Sequence, residues 1–242
     1  KQFVVFTKRD ILSKVADTQY LIITLLEAPV LALFLSLLIR YFDESAADPR
    51  YTLFENSNLP VFIFMSVIVA IFMGLIVSAE EIIKDRKILK REAFLNLSWN
   101  SYLMSKVFVQ FGISAVQAFT FVLIGNSITG IKGMLFEYWL VLFSCWAGAN
   151  VLGLVISDSF KAVVTIYILI PFLVIPQIIL SGILVKFEKL NPKVSSPISI
   201  PIYGEFITAR WGYEALAVKQ FKDNEYERQI YVYDKALSKA RF

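Results

Sequence analysis

Four long apolar runs, and a fifth broken by one acid, constrain this 242-residue chain more than any other feature. A bilayer's hydrocarbon core is about 30 Å thick, and a helix needs roughly 20 residues to cross it. The runs at about Tyr20–Phe42, Leu59–Ala79, Val107–Ile128, Leu135–Ser157 and Ala162–Val185 each have that length. The second and fifth carry no charge, the first contains Glu27 and then Pro29, and the fourth has Glu137 near its start. Hydrocarbon offers the backbone no hydrogen bonds, so a spanning segment without partners must be helical. The expected fold class is an all-α polytopic membrane protein. It has five spans in a domain over 19–185, an amphipathic helix over 1–18, and an extracytoplasmic re-entrant region and tail over 186–242. Composition agrees: 57% of residues are hydrophobic and 21 are Phe, with a mean hydropathy of +0.63.

The net charge of +4 would be compatible with nucleic acid if charge were scattered, but the basic residues cluster at the ends of apolar runs. That placement sets membrane orientation, and no nucleic-acid partner is expected. The stretch 80–106 holds Lys84, Arg86, Lys87, Lys90, Arg91 and Lys106, whereas Asp43–Asn58 carries Asp43, Glu44, Asp48 and Glu55 against Arg50. The N-terminus, the 80–106 loop and the turn at 158–161 are therefore assigned to the cytoplasm, in a multi-pass protein of the inner or plasma membrane. Five spans place the tail outside. Its ten basic residues against seven acidic ones strain the charge rule, although long segments translocate largely regardless of charge. The odd span count points to a sixth span beyond Phe242, and the start at Lys1 points to a segment of a longer chain.

In residues 1–18, Val4, Ile11, Leu12 and Val15 share one helical face among Lys1, Lys8, Arg9 and Lys14. The pattern suits a helix on the membrane surface, or one packed on a neighbouring domain.

No catalytic residue is singled out. With no histidine and a single cysteine, Cys145, neither a His-based site nor an internal disulfide can form. No metal site is expected. GxxxxGK[ST] is absent, so these residues do not form the loop that cradles ATP phosphates.

Polar residues inside the spans admit two readings each. Glu27 costs about 2.5–3.5 kcal/mol to place mid-bilayer on insertion scales, so it faces protein as a polar switch or as a structural hydrogen bond eased by Pro29. Pro171 and Pro176 each remove a backbone bond and create either a gate or a packing irregularity. Gln110, Ser114 and Gln117 share a face and read as helix–helix glue, and Gly148, Ala149 and Gly153 as a close-approach surface.

The loop Ser78–Lys106 reads SAEEIIKDRKILKREAFLNLSWNSYLMSK. Its charged, helix-prone faces suit docking on a soluble partner, or serve only to anchor topology. The order Glu80, Lys87, Arg91–Glu92, Ser101–Tyr102 and Lys106 resembles the first intracellular loop of G-subfamily ABC transporters, in the ABC type-2 permease family. The helix with Arg9–Asp10 resembles that family's connecting helix. The stretch Gly182 to Leu216, with Pro197, Pro201 and Ala209–Arg210–Trp211–Gly212–Tyr213–Glu214–Ala215–Leu216, resembles its external re-entrant region. The resemblance covers almost the whole chain, although the family's ATP-binding domain and sixth span are not in it.

The resemblance implies the transmembrane domain of an ATP-driven exporter, part of an ATP-hydrolysing transporter when joined to its motor. Glu80, Glu81, Lys84, Arg86, Lys87, Arg91, Glu92 and Arg9 would couple it to a nucleotide-binding domain encoded upstream on the same chain. That partner, not this segment, would hold ATP and Mg. A second transmembrane domain would complete a homodimer, with Phe62, Met65, Phe72, Phe172, Ile175 and Ile179 lining a cavity for a hydrophobic or lipid-like substrate moved by alternating access. The alternative is a membrane-embedded subunit that passes ATPase-driven motion to an extracytoplasmic partner.

Overall fold

The computed structural model describes residues 1–40, 56, 58–92, 94, 97–189, 200–224, 232–233 and 235–237. The acidic segment Asp43, Glu44, Asp48, Arg50 and Glu55, the last residues assigned to the first span, and Pro197 lie outside the described residues. The described chain is helical: α1 (Gln2–Ala16), α2 (Thr18–Ile39), α3 (Asn58–Ala79), α4 (Glu81–Glu92), α5 (Trp99–Thr129), α6 (Leu135–Ser159), α7 (Val163–Ile179), the short α8 (Ile202–Glu205) and α9 (Thr208–Asp223). With four helices long and apolar enough to cross a bilayer, the all-α polytopic class holds.

Boundaries follow local chemistry. Asp17 ends α1 and starts α2, its carboxylate accepting from the Tyr20 amide at 3.0 Å. α5 begins at Trp99, eight residues before the apolar run expected for that span, because the Ser98 hydroxyl caps it by accepting from the Ser101 amide at 3.3 Å. It ends at Gly130, whose φ of +81° supplies the left-handed turn that glycine adopts at no steric cost. At 31 residues α5 is about 46 Å long, so its first turns stand clear of a hydrocarbon core. α7 is shorter than the run read from sequence: its 17 residues make about 25 Å. It stops at Ile179 because the chain turns at Gly182, where φ is +78° and an added Cβ would fall 2.3 Å from the Phe187 ring. Pro29, Pro171 and Pro176 lie inside continuous helices.

The core centres on α3, which packs most extensively on α6 and touches α2, α4, α5, α7 and α9. The α3–α6 seam is made by missing side chains. A Cβ on Gly74 would lie 2.6 Å from the Trp146 carbonyl oxygen, and one on Gly153 would lie 3.0 Å from that of Leu75. Lipid tails are as apolar as leucine, so helices in a bilayer gain mainly from this closeness. Gly153 and Ala149 belong to the seam, but Gly148 does not: space lies open before it. Gly74, which the sequence reading passed over, takes that place.

The polar face of α5 is buried as glue. Gln117 donates to the Thr24 carbonyl of α2 at 2.8 Å, and Asn150 of α6 donates to the Ser114 hydroxyl at 2.6 Å. Gln110 is fully buried beside them.

α9 does not stand away from the helices. Gly212 lies against Val67 and Cys145, with room for no Cβ, and Tyr213 meets Phe64 edge-on at 6.3 Å. Val67 is about 13 Å along α3 from its Asn58 end, so α9 runs alongside the bundle rather than above it. Gln177 of α7 accepts from the Ala209 amide at 3.0 Å, satisfying one free N–H at the start of α9. Arg210 is buried by its own neighbours, reaching Glu205 at 3.2 Å, Glu214 at 3.3 Å and the Gly204 carbonyl at 3.3 Å.

Candidate functional site

At the end of the bundle where α3 stops and α5 starts, three helices meet around buried charge. α1 supplies Asp10 and Lys14, one turn apart on one stripe with buried Phe6. α4 supplies Glu81 and Asp85, again one turn apart. α5 supplies Lys106 and Tyr102, likewise spaced by four. Each helix therefore turns a single edge into the junction, as i and i+4 positions must.

Lys106 is the hub. Its ammonium lies 2.5 Å from Asp10 Oδ1, 2.9 Å from Asp85 Oδ2 and 3.1 Å from Glu81 Oε2, with the side chain only 5% exposed. Lys14 binds the other Glu81 oxygen, and the Tyr102 hydroxyl donates to Asp85 Oδ2 at 3.0 Å. Two ammoniums thus face three carboxylates. Burial alone raises the pKa of Glu81, but Lys14 and Lys106 outweigh it and hold the carboxyl below its ordinary value. Burial alone lowers that of Lys14, but Glu81 outweighs it and holds the ammonium above its ordinary value. Both groups stay charged at neutral pH, and each is fixed by the other.

Further ties surround this hub. Arg9 donates to Glu92 from one guanidinium nitrogen, which lies 2.9 and 3.2 Å from the two carboxylate oxygens, so both ends of α4 are fastened to α1. Gln2 accepts from the Ser98 amide at 2.9 Å, and Phe6 meets the Tyr102 ring edge-on at 5.8 Å. α4 is also fastened to α6. The Ser157 hydroxyl accepts from the Ile82 and Ile83 amides at 3.0 and 3.2 Å, capping α4 from another helix. Arg86 donates to the Ser157 carbonyl at 3.2 Å and to that of Asp158.

The residues expected to couple to a partner therefore divide. Glu81, Arg86, Glu92 and Arg9 are spent within the protein. Glu80 accepts from the Tyr167 hydroxyl of α7 at 2.5 Å and pairs with Lys84 at 2.6 Å. Lys84, Lys87 and Arg91 are exposed, and with half-exposed Ile88 they form one outer stripe of α4. Sequence reading missed Asp10, Lys14, Asp85 and Lys106 as a unit. The available signal was a lysine at the mouth of an apolar run, with carboxylates at helical spacing in the helix before it and an acid–base pair at the same spacing in the first helix.

The apolar candidates divide too. Phe72, Phe172, Ile175 and Ile179 are exposed on α3 and α7, and Met65 is half-buried. Phe62 is not on that face: its ring packs against Gly125 of α5, 3.1 Å from where a Cβ would stand. Its early position in α3 does not reveal this, because the glycine that admits it comes from another helix. Glu27 is half-buried, with no ion pair or hydrogen bond among the described residues. The apolar face expected of α1 points outward: Val4, Leu12 and Val15 are more than half exposed, while its charged Asp10 and Lys14 point inward. Such an inverted helix suits an apolar surrounding rather than water.

This arrangement has no nucleophile–base pair and, among the described residues, no group of side chains that could hold a metal. Its contacts tie α4 to α1 through two sets of ion pairs, to α5 through Lys106 and to α6 through Ser157 and Arg86.

A family model described as ABC-2 type transporter matches residues 1–220. No curated protein matches the chain.

Proposed function

Since the chain belongs to the ABC-2 type transporter family and is thereby a multi-pass membrane component of an ABC transporter, we propose that it is the permease domain of an ATP-driven exporter, with α4 as its coupling element. The observation that carries this reading is the junction at Lys106, where one ammonium joins α1, α4 and α5. A helix fixed this firmly on its inner face, and basic on its outer stripe of Lys84, Lys87 and Arg91, suits docking on an acidic groove of a nucleotide-binding domain that holds ATP and Mg. In this reading the N-terminus and α4 are cytoplasmic, in the inner or plasma membrane. Motor closure pushes α4; the junction passes that push to α5, and Ser157 with Arg86 passes it to α6, so that both shift against α3.

The exposed apolar faces of α3 and α7 suit a second copy of the chain. A hydrophobic or lipid-like substrate would then pass between the copies by alternating access, against Met65, Phe72, Phe172, Ile175 and Ile179.

The experiment is a combined Lys84→Glu, Lys87→Glu, Arg91→Glu variant of the full-length transporter, compared with wild type for ATP hydrolysis and for ATP-driven export from vesicles. These side chains are exposed, so the fold should stand, while export falls at least about tenfold, the loss expected for misplacing charges across a docking face. Undiminished export would remove α4 as the coupling element.

A further inference from the structure

A hollow of about 630 Å³ opens between α4, the start of α5 and the turn from α6 to α7. Ile82, Leu89 and Trp99 give it apolar walls, and Arg86, Lys90, Lys161 and Asp158 line the rest. Ile82, Arg86, Leu89 and Lys90 share one face of α4. At about 100° per residue, that face lies half a turn from the outer stripe of Lys84, Lys87 and Arg91. The hollow therefore looks away from the face assigned to a motor domain. The 22 residues of α3 make about 33 Å, which matches a hydrocarbon core of about 30 Å. Ile82 follows closely on the end of α3 at Ala79, so the hollow begins where hydrocarbon gives way to headgroups.

Charge in the hollow is unbalanced. Three cations line it against one carboxylate, that of Asp158. Lys90 and Lys161 are exposed and have no ion pair or hydrogen bond among the described residues. Half-buried Arg86 is fixed through Nη2, which donates to the Ser157 and Asp158 carbonyls. Those acceptors carry no net charge, so the guanidinium's own charge stays uncompensated by them. Trp99, 46% exposed, is steadied by a tilted contact with Tyr102, ring centroids 5.3 Å apart. Indole rings favour the headgroup level of a bilayer. From Asp158 an apolar stripe runs back along α6: Val155 and Val151 share its face at spacings of three and four, and they are 56% and 42% exposed. A net positive hollow thus joins an apolar stripe, as a headgroup joins its acyl chains.

We propose that this hollow seats the headgroup of an anionic phospholipid, its phosphate held by Arg86, Lys90 and Lys161 and its acyl chains lying along Val155 and Val151. Phosphatidylethanolamine and phosphatidylcholine carry the same phosphate, but each brings a cation of its own into a hollow that already has two in excess. An anionic headgroup brings none. Contact of the tails with α6 discriminates little, because lipid tails are as apolar as the side chains they meet. Selection therefore rests on charge. An acidic protein segment would also satisfy the cations, but it would leave the apolar stripe unused. Seated there, the lipid joins α4 to the α6–α7 turn beside the Arg86 contacts. This inference requires the membrane-embedded family fold but not the coupling role proposed for α4.

The test is native mass spectrometry of lipids retained by the full-length transporter after extraction from vesicles of equimolar phosphatidylglycerol, phosphatidylethanolamine and phosphatidylcholine. Wild type should retain phosphatidylglycerol over each of the others by about tenfold, a ratio that two uncompensated cations support. Lys90→Gln combined with Lys161→Gln leaves Arg86 balanced by Asp158 and should bring the ratio to within about twofold of unity. Both side chains are exposed and unpaired, so the fold should stand. Lys87→Gln combined with Arg91→Gln removes the same charge from the opposite face of α4 and should leave the preference intact. Excess inorganic phosphate should not displace the lipid. Equal retention of the three lipids by wild type, the result if an acidic protein segment fills the hollow, overturns the proposal. So does a preference that survives Lys90→Gln with Lys161→Gln, or one lost equally in both double variants, which would make it a property of net charge. Displacement by inorganic phosphate overturns it as well, because the hollow would then hold a free anion.

Discussion

Lys106→Met isolates the junction. The lysine's three carboxylate contacts lie between 2.5 and 3.1 Å, and at an effective dielectric of 20 each attraction is about 5–7 kcal/mol. Burying the ammonium costs several kcal/mol in return, so the three attractions do not sum to a net stability. The larger effect of the substitution comes from what stays behind. Asp10, Glu81 and Asp85 would face Lys14 alone, one cation against three anions instead of two. Removing one partner of a buried ion pair costs about 3–5 kcal/mol for this reason, and methionine keeps the stem's packing so that lost charge dominates. The assay is reversible unfolding of the full-length protein in mixed micelles. A second substitution, Glu81→Gln, makes the test specific. In the double variant Lys14 faces Asp10 and Asp85, which restores the wild-type charge difference, so about 1–3 kcal/mol of the loss should return as coupling between the two sites. If the two losses add to within about 0.5 kcal/mol, as distant independent sites do, then Lys106 and Glu81 do not act on one another and the junction is not a unit.

Two further outcomes follow from other parts of the structure. Glu81 is held below its ordinary value, so its share of stability is present above the usual Glu range near ~4.3 and is lost as pH falls through the depressed value. Lys14 is held above its ordinary value, so its share is present below ~10.4 and is lost as pH rises through the raised value. Melting temperature should therefore be flat between roughly pH 5 and 10 and fall on both sides. Glu81→Gln should reduce the acid-side fall, leaving the share of Glu80, which, against the effect of burial, Lys84 and Tyr167 also hold below its ordinary value. Gly153→Val in α6 would place carbon 3.0 Å from the Leu75 carbonyl oxygen and against Ser78, which forces α3 and α6 apart. Overpacking of this kind costs about 1–3 kcal/mol, whereas the same change at Gly148, where space is open, should cost under about 1 kcal/mol when the two are compared by thermal unfolding.

Much was legible in the order of residues alone. Uncharged runs as long as Leu59–Ala79 can be buried in lipid only as helices, so the all-helical class follows from hydropathy without reference to neighbours. The basic character of 80–106 and its helical propensity are equally local, and they mark α4 before any fold is known. What sequence could not decide is which faces meet. Periodicity places Asp10 with Lys14 on one stripe and Glu81 with Asp85 on another, but nothing local says that both stripes close on Lys106, 96 residues from Asp10. The same gap explains why Glu81 read as a docking residue and proved to be buried, and why Phe62 read as cavity-lining and proved to rest on Gly125. It applies to α9 as well: its sequence resembles part of an external re-entrant region, but only the packed helices show that Gly212 rests against Val67 and Cys145. Hydropathy is a property of each residue and its turn of helix, so the chain settles by itself what enters the membrane. Ion pairing and close approach depend on two surfaces at once, and only the packed helices bring both surfaces together.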